Sequence, residues 1–190
     1  MFVSLLRLYC EKVDLIVKLV GYATSILMPI LAFVVSFEVF SRYFLNRPTI
    51  WAFDLSLFLF GYIAILGGAL AHQKKGHITV DILYKKVSKK TRCVFDLISF
   101  SLGIFFLVLI VYICFDKFQD AINFGTRRQS EWAPLMHHFW LMTMFACSLF
   151  ILQLARDMIS NIFYLVTGEQ LVEEKGLKLS CKKAEKNNGN

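Results

Sequence analysis

Three groups of residues in this chain have the types and spacings that recognition or chemistry would require. The first begins with Glu38 and Arg42, four apart with the acid leading, the favourable order for an ion pair on one helix face. Asn46, Arg47 and Pro48 follow, then Trp51 and Asp54. Pro48 suits a turn or a first helical position. Asp54 falls near the start of the next apolar segment, where a helix dipole favours an anion, and Trp51 stands where an interfacial tryptophan belongs. Two readings stay open for this group: a salt-bridged hairpin anchored at a membrane surface, or a polar contact or lipid-headgroup site used by a partner. The second group is Arg127, Arg128 and Glu131, which with Arg47 would face a partner approaching from the same side.

The third group is the histidines, which invite a metal or haem test. His72 and His77 sit past one end of an apolar segment, and His137 and His138 at the start of another. A haem-binding anchor would place histidines inside two facing helices, whereas adjacent His137 and His138 point in different directions on any helix. A membrane anchor subunit holding haem or quinone for a redox enzyme is therefore the alternative functional class. The cysteines, Cys10, Cys93, Cys114, Cys147 and Cys181, are odd in number and form no CxxC pair, so they read as small buried hydrophobes or inert thiols. No glycine-rich phosphate loop or HExxH motif occurs, and no catalytic, cofactor or metal site is expected.

Long apolar segments must position these residues. The chain is 57% hydrophobic with a mean hydropathy of +0.57. The apolar residues form four blocks, about 15–40, 50–71, 94–115 and 133–155, separated by charged stretches. Each reaches the roughly 20 residues needed to cross about 30 Å of hydrocarbon. In lipid, such blocks satisfy their backbone polar groups as helices. The first is too long for a signal-peptide core and no small-x-small cleavage site follows it. The expectation is an all-α integral membrane protein with four transmembrane helices over residues 15–166. A short interfacial helix over 1–14 carries Phe2, Leu5, Leu6 and Tyr9 at helical spacing. A second, over about 78–90, sets Val80, Leu83 and Val87 opposite four lysines facing anionic lipid. Residues 167–190 lose their apolar side chains and read as a disordered tail.

The net charge of +7 could suggest nucleic acid, but no basic cluster is interleaved with stacking aromatics, which excludes that class. The basic residues orient the helices instead. Lys and Arg number three at the N-terminal end (Arg7, Lys12 and Lys18), seven in the second linker and six after the fourth block, against two and three in the other linkers. The positive-inside rule puts both termini and the second linker in the cytoplasm. Lys18, Asp96 and Arg156 fall near that surface and read as snorkelling charges, and no ionisable residue lies mid-block. Gly61, Ala64, Gly68 and Ala71, spaced by three, four and three, would let another helix approach closely, either within this chain or from another subunit.

Together these residues resemble the small membrane subunit of TRAP transporters, the DctQ-like family. Arg42, Asn46 and Pro48 with Trp51 and Asp54 match its first element, and Lys75-Gly76-His77-Ile78-Thr79-Val80-Asp81 looks like its Gly-His-Ile-x-Val-Asp element. The family more often has Glu in place of Asp54, and usually a Pro-x-Gly entry to the fourth helix, where this chain has Trp132-Ala133-Pro134. The resemblance implies a division of labour. A large multi-helix partner carries the substrate, an organic acid such as a C4-dicarboxylate, keto acid or sialic acid, together with Na+. A periplasmic binding protein delivers that substrate. The small subunit, in the bacterial inner membrane, braces the large one and holds no cofactor. Glu38, Arg42, Asn46, Trp51, Asp54, Gly61, Ala64, Gly68, His77 and Asp81 are the candidates for a subunit interface or headgroup contact. Arg47, Arg127, Arg128 and Glu131 are the candidates for docking the binding protein.

Overall fold

The computed structural model describes residues 2–74 and 89–167. Within them the chain forms α1 (Phe2–Ser25), α2 (Leu27–Phe44), α3 (Ala52–Gln73), α4 (Lys89–Asn123) and α5 (His137–Thr167). Among the described residues there is no strand, only one isolated antiparallel bridge between Arg127 and Leu135. Four helical stretches are long and apolar enough to cross a membrane: Val3–Phe44, Ala52–Gln73, Cys93–Asn123 and His137–Thr167. The all-helical, four-span architecture expected from the hydropathy blocks is therefore present. The surface helix expected over 78–90, with His77 and Asp81, lies outside the described residues except for Lys89 and Lys90, which begin α4, and of the tail expected over 167–190 only Thr167, the end of α5, is described.

The helices run past the limits of their apolar blocks, because a block marks what lipid tolerates and not where backbone hydrogen bonding stops. α4 starts at Lys89 and ends at Asn123, and α5 continues to Thr167. The first helical stretch differs most from the sequence reading. α1 passes unbroken through residues 14 and 15, and the division falls instead at Ile26. Pro29 explains the place. It has no N–H for the Ser25 carbonyl, and its ring crowds that carbonyl. Nearby, Thr24 and Ser25 hydroxyls donate to the Val20 and Gly21 carbonyls at 2.8 and 3.0 Å, and the Ile26 N–H closes a tight turn onto the Ala23 carbonyl at 3.2 Å. The 42 residues from Val3 to Phe44 would span roughly 63 Å as one helix, twice the hydrocarbon thickness. The interruption at Ile26 divides this length into α1 and α2, both of which pack along α3.

α3 is the hub. Val34 of α2 packs with Ala52 and Leu59, walled by Leu27, Leu31, Trp51 and Leu55. Val13 and Val17 of α1 pack on Ala69, with Tyr9, Leu70 and Phe150 around them. Gly21 is required here, since a Cβ would lie 2.5 Å from the Leu70 side chain. Part of the small-residue stripe on α3 serves packing within the chain: a Cβ on Gly61 would meet Phe139 at 3.0 Å and one on Gly68 would meet Phe150 at 3.8 Å, both on α5. Ala64 is exposed and Gly67 faces open space. α4 runs along α5 and leaves a broad apolar face uncovered, including Leu102, Phe105, Phe106 and Tyr112.

Candidate functional site: two polar nodes at opposite ends of the bundle

The Asp54 node joins the start of α3 to the third linker. Asp54 lies in the first turn of α3, where the helix dipole favours its charge, and is fully buried. The Ser130 hydroxyl donates to its Oδ2. Arg128 Nε lies 2.9 Å from its Oδ1, with the guanidinium 6.0 Å from the centre of the Phe53 ring. The loop that presents Arg128 and Ser130 is pinned in turn. Ser130 Oγ accepts the Ala133 N–H at 3.2 Å, the Arg128 N–H reaches the Pro134 carbonyl at 3.0 Å, and the Met136 N–H reaches the Thr126 carbonyl at 3.1 Å. Arg128, a docking candidate by sequence, is thus held by Asp54.

The hairpin between α2 and α3 closes beside it. Glu38 Oε1 accepts from Arg42 at 2.7 and 3.1 Å, while Oε2 accepts the Thr49 backbone N–H at 3.0 Å and the Thr49 hydroxyl. Arg42 is 56% exposed, so the ion pair adds little, and the backbone latch to Thr49 is what closes the turn. Asn46 has φ +51, a left-handed conformation asparagine tolerates, and it ends α2. The chain then folds back: Ser41 Oγ donates to the Arg47 carbonyl at 2.6 Å, and the Arg47 N–H returns to the Ser41 carbonyl at 3.1 Å. Trp51 stacks on Phe37 at 6.1 Å.

Glu38, Trp51, Asp54, Gly61 and Gly68 therefore all make contacts that hold this chain together, and Asn46 supplies the backbone turn. Arg42, Arg47, Ala64, Arg127 and Glu131 remain exposed. Arg127 donates to the Ala133 carbonyl at 3.3 Å.

The second node lies at the other end of the bundle and was not found in the sequence. Arg156 Nη2 donates to Asp14 Oδ2 at 2.8 Å and Nη1 to Asp157 Oδ1 at 2.6 Å. Gln73 Nε2 donates to Asp14 Oδ1 at 3.0 Å, and His72 Nε2 lies 3.1 Å from Asp157 Oδ2. Gln153, fully buried, reaches Asp14 Oδ1 at 3.4 Å. Arg156 does not snorkel: its side chain is 17% exposed and holds two carboxylates from two helices. One signal was legible. Gln153, Arg156 and Asp157 lie at i, i+3 and i+4, on one face of α5. Their partners on α1 and α3 are distant in sequence and left no local pattern.

His72 and His138 take separate partners. His72 bonds Asp157 and sits edge-on to Phe100 at 5.5 Å. His138 Nδ1 lies 2.6 Å from the Tyr62 hydroxyl, on the opposite half of α3. They do not form the facing pair that a haem anchor would use.

The four-span bundle, with the start of α3 tied to the third linker, belongs to a sequence that matches a known family. The sequence profile described as "Tripartite ATP-independent periplasmic transporters, DctQ component" matches residues 31–163. The chain belongs to this family. It is a multi-pass inner-membrane protein, a small subunit of a TRAP transporter. Over 66 residues it is 30% identical to the "Sialic acid TRAP transporter small permease protein SiaQ" of Vibrio cholerae serotype O1, covering 35% of this chain and 38% of that protein. Over 90 residues it is 30% identical to the "Sialic acid TRAP transporter permease protein SiaT" of Haemophilus influenzae, covering 47% of this chain and 13% of that protein. The matches thus span well under two thirds of either relative. The DctQ match takes in the whole Asp54 node but begins inside α2, so Asp14 and α1 fall outside it.

Proposed function

We propose that this chain braces the large membrane subunit of a TRAP-type secondary transporter, in uptake of an organic acid driven by an ion gradient and dependent on a binding protein. The chain itself does no chemistry and holds no cofactor. Substrate and Na+ belong to a large multi-helix partner, and a periplasmic binding protein delivers the substrate. Both termini face the cytoplasm, as the distribution of Lys and Arg favours. The observation that carries this reading is where the polar side chains go. The buried charged groups, Asp54 with Arg128 and Arg156 with Asp14 and Asp157, tie helices or loops of this chain to each other. Meanwhile the uncovered surfaces of α2 and α4 are apolar, as a helix-packing partner in lipid would need. The match to part of a much larger permease supports a segment of this kind working beside a larger one. The names of both relatives favour sialic acid among the C4-dicarboxylate, keto acid and sialic acid classes.

Arg47, Arg127 and Glu131, exposed at the Asp54 end, are proposed to contribute to docking of the binding protein, with Arg128 fixing the loop that carries them. The test is purification of the tagged chain from its native membrane, paired with an uptake assay in a strain lacking it. The reading expects a large membrane protein to co-purify and uptake to be lost. A chain that purifies alone, with uptake surviving its deletion, contradicts it.

A further inference from the structure

The Asp14 node has three buried polar atoms without a partner: Gln73 Oε1, Gln153 Oε1 and Arg156 Nε. The side chains that carry them converge on a single carboxylate. Gln73 and Gln153 both donate through Nε2 to Asp14 Oδ1, at 3.0 and 3.4 Å, and Arg156 donates through Nη2 to Asp14 Oδ2 at 2.8 Å. Buried polar groups are nearly always hydrogen-bonded, because one without a partner forfeits its hydration for nothing. These atoms have essentially no accessible surface, so neither lipid nor a partner chain can reach them. Whatever completes them must be small and enclosed.

The inventory specifies it. Two of the atoms are amide oxygens, which only accept, and the third is a guanidinium N–H, which only donates. We propose that the node encloses one water molecule, donating to Gln73 Oε1 and Gln153 Oε1 and accepting from Arg156 Nε–H. Buried waters typically make two to four such bonds at polar sites. A metal cation would suit the two oxygens but would face the Arg156 N–H and the guanidinium charge, so the ligand is neutral. The water turns a half-satisfied cluster into a closed network linking α1, α3 and α5. Such networks fix one arrangement of their helices when every member is satisfied.

Cys10 provides a reporter. It is fully buried and lies one turn before Asp14 on the same face of α1, whereas Cys114 and Cys147 are buried on α4 and α5 outside the node. X-ray radiolysis generates hydroxyl radicals from bound water in place, so it labels buried side chains beside such water. In the full chain within its membrane complex, Cys10 should be oxidised several-fold faster than Cys114 and Cys147, with 18O taken up from labelled water. That excess should fall in Gln73→Met or in Gln153→Met, either variant sufficing if the other does not fold. A high-resolution map of the same complex should show one peak within about 3 Å of all three atoms. Equal labelling of the three cysteines overturns the proposal. So does a map in which the Arg156 Nε–H has turned to a protein carbonyl, or a peak whose strength changes when Na+ is exchanged for a bulky organic cation.

Discussion

The two polar nodes solve the same problem differently. At the Asp54 end one carboxylate meets one guanidinium, helped by a serine hydroxyl and the helix dipole, and the elements joined are the start of α3 and one loop. At the Asp14 end two carboxylates share one guanidinium, with His72, Gln73 and Gln153 filling in, and the elements joined are three helices. The Asp54 node needs only a correct loop, whereas the Asp14 node needs α1, α3 and α5 all in place. Removing a member should therefore cost more at the Asp14 node, and the asymmetry between partners should be steeper wherever the remaining group cannot reach water.

The largest effect should come from Arg156→Ala, which leaves Asp14 and Asp157 without their shared cation. Removing one partner of a buried pair costs about 3–5 kcal/mol, and two carboxylates depend on this one. Thermal unfolding of the purified complex should show it, with α1 becoming protease-sensitive near Asp14. Arg128→Ala comes next, at about 3 kcal/mol, since Asp54 is left buried with Ser130 alone. Asp54→Asn should cost less, about 1–2 kcal/mol: Arg128 is one-third exposed and can turn to water, and asparagine can still accept from Ser130. If Asp54→Asn proves the more damaging of the two, the carboxylate contacts something outside this chain. At the hairpin, Asn46→Ala should destabilise by about 1 kcal/mol and Asn46→Gly should not, because only the backbone conformation is at stake. Smallest of all, Arg42→Ala should leave the melting temperature unchanged. A loss of complex assembly without a stability change would mark Arg42 as an interface residue.

The four spans and the closed hairpin were legible because hydropathy, charge asymmetry and the Glu38-to-Asp54 spacing are local patterns. The pairing of Asp54 with Ser130 and Arg128 was not, since Ser130 lies 76 residues away, and a charged loop residue reads as solvated until the fold gives it a partner. Arg156 illustrates the same limit more strongly: its bond to Asp14 closes 142 residues, so its place near a block end read as snorkelling. The small-residue stripe carried real information, but its direction needed α5, whose Phe139 and Phe150 claim Gly61 and Gly68 and leave Ala64 free. In α1 the apolar block marked lipid-compatible composition, while the interruption at Ile26 depends on Pro29 and the hydroxyls before it.

The central claim is that this chain supports transport and does not perform it. Solute uptake into proteoliposomes tests that most directly, comparing the purified chain alone, the large membrane subunit alone, and the two together, each with the binding protein supplied outside. The account predicts no uptake by this chain alone and full uptake only by the pair. Ion-driven uptake by this chain alone would contradict it.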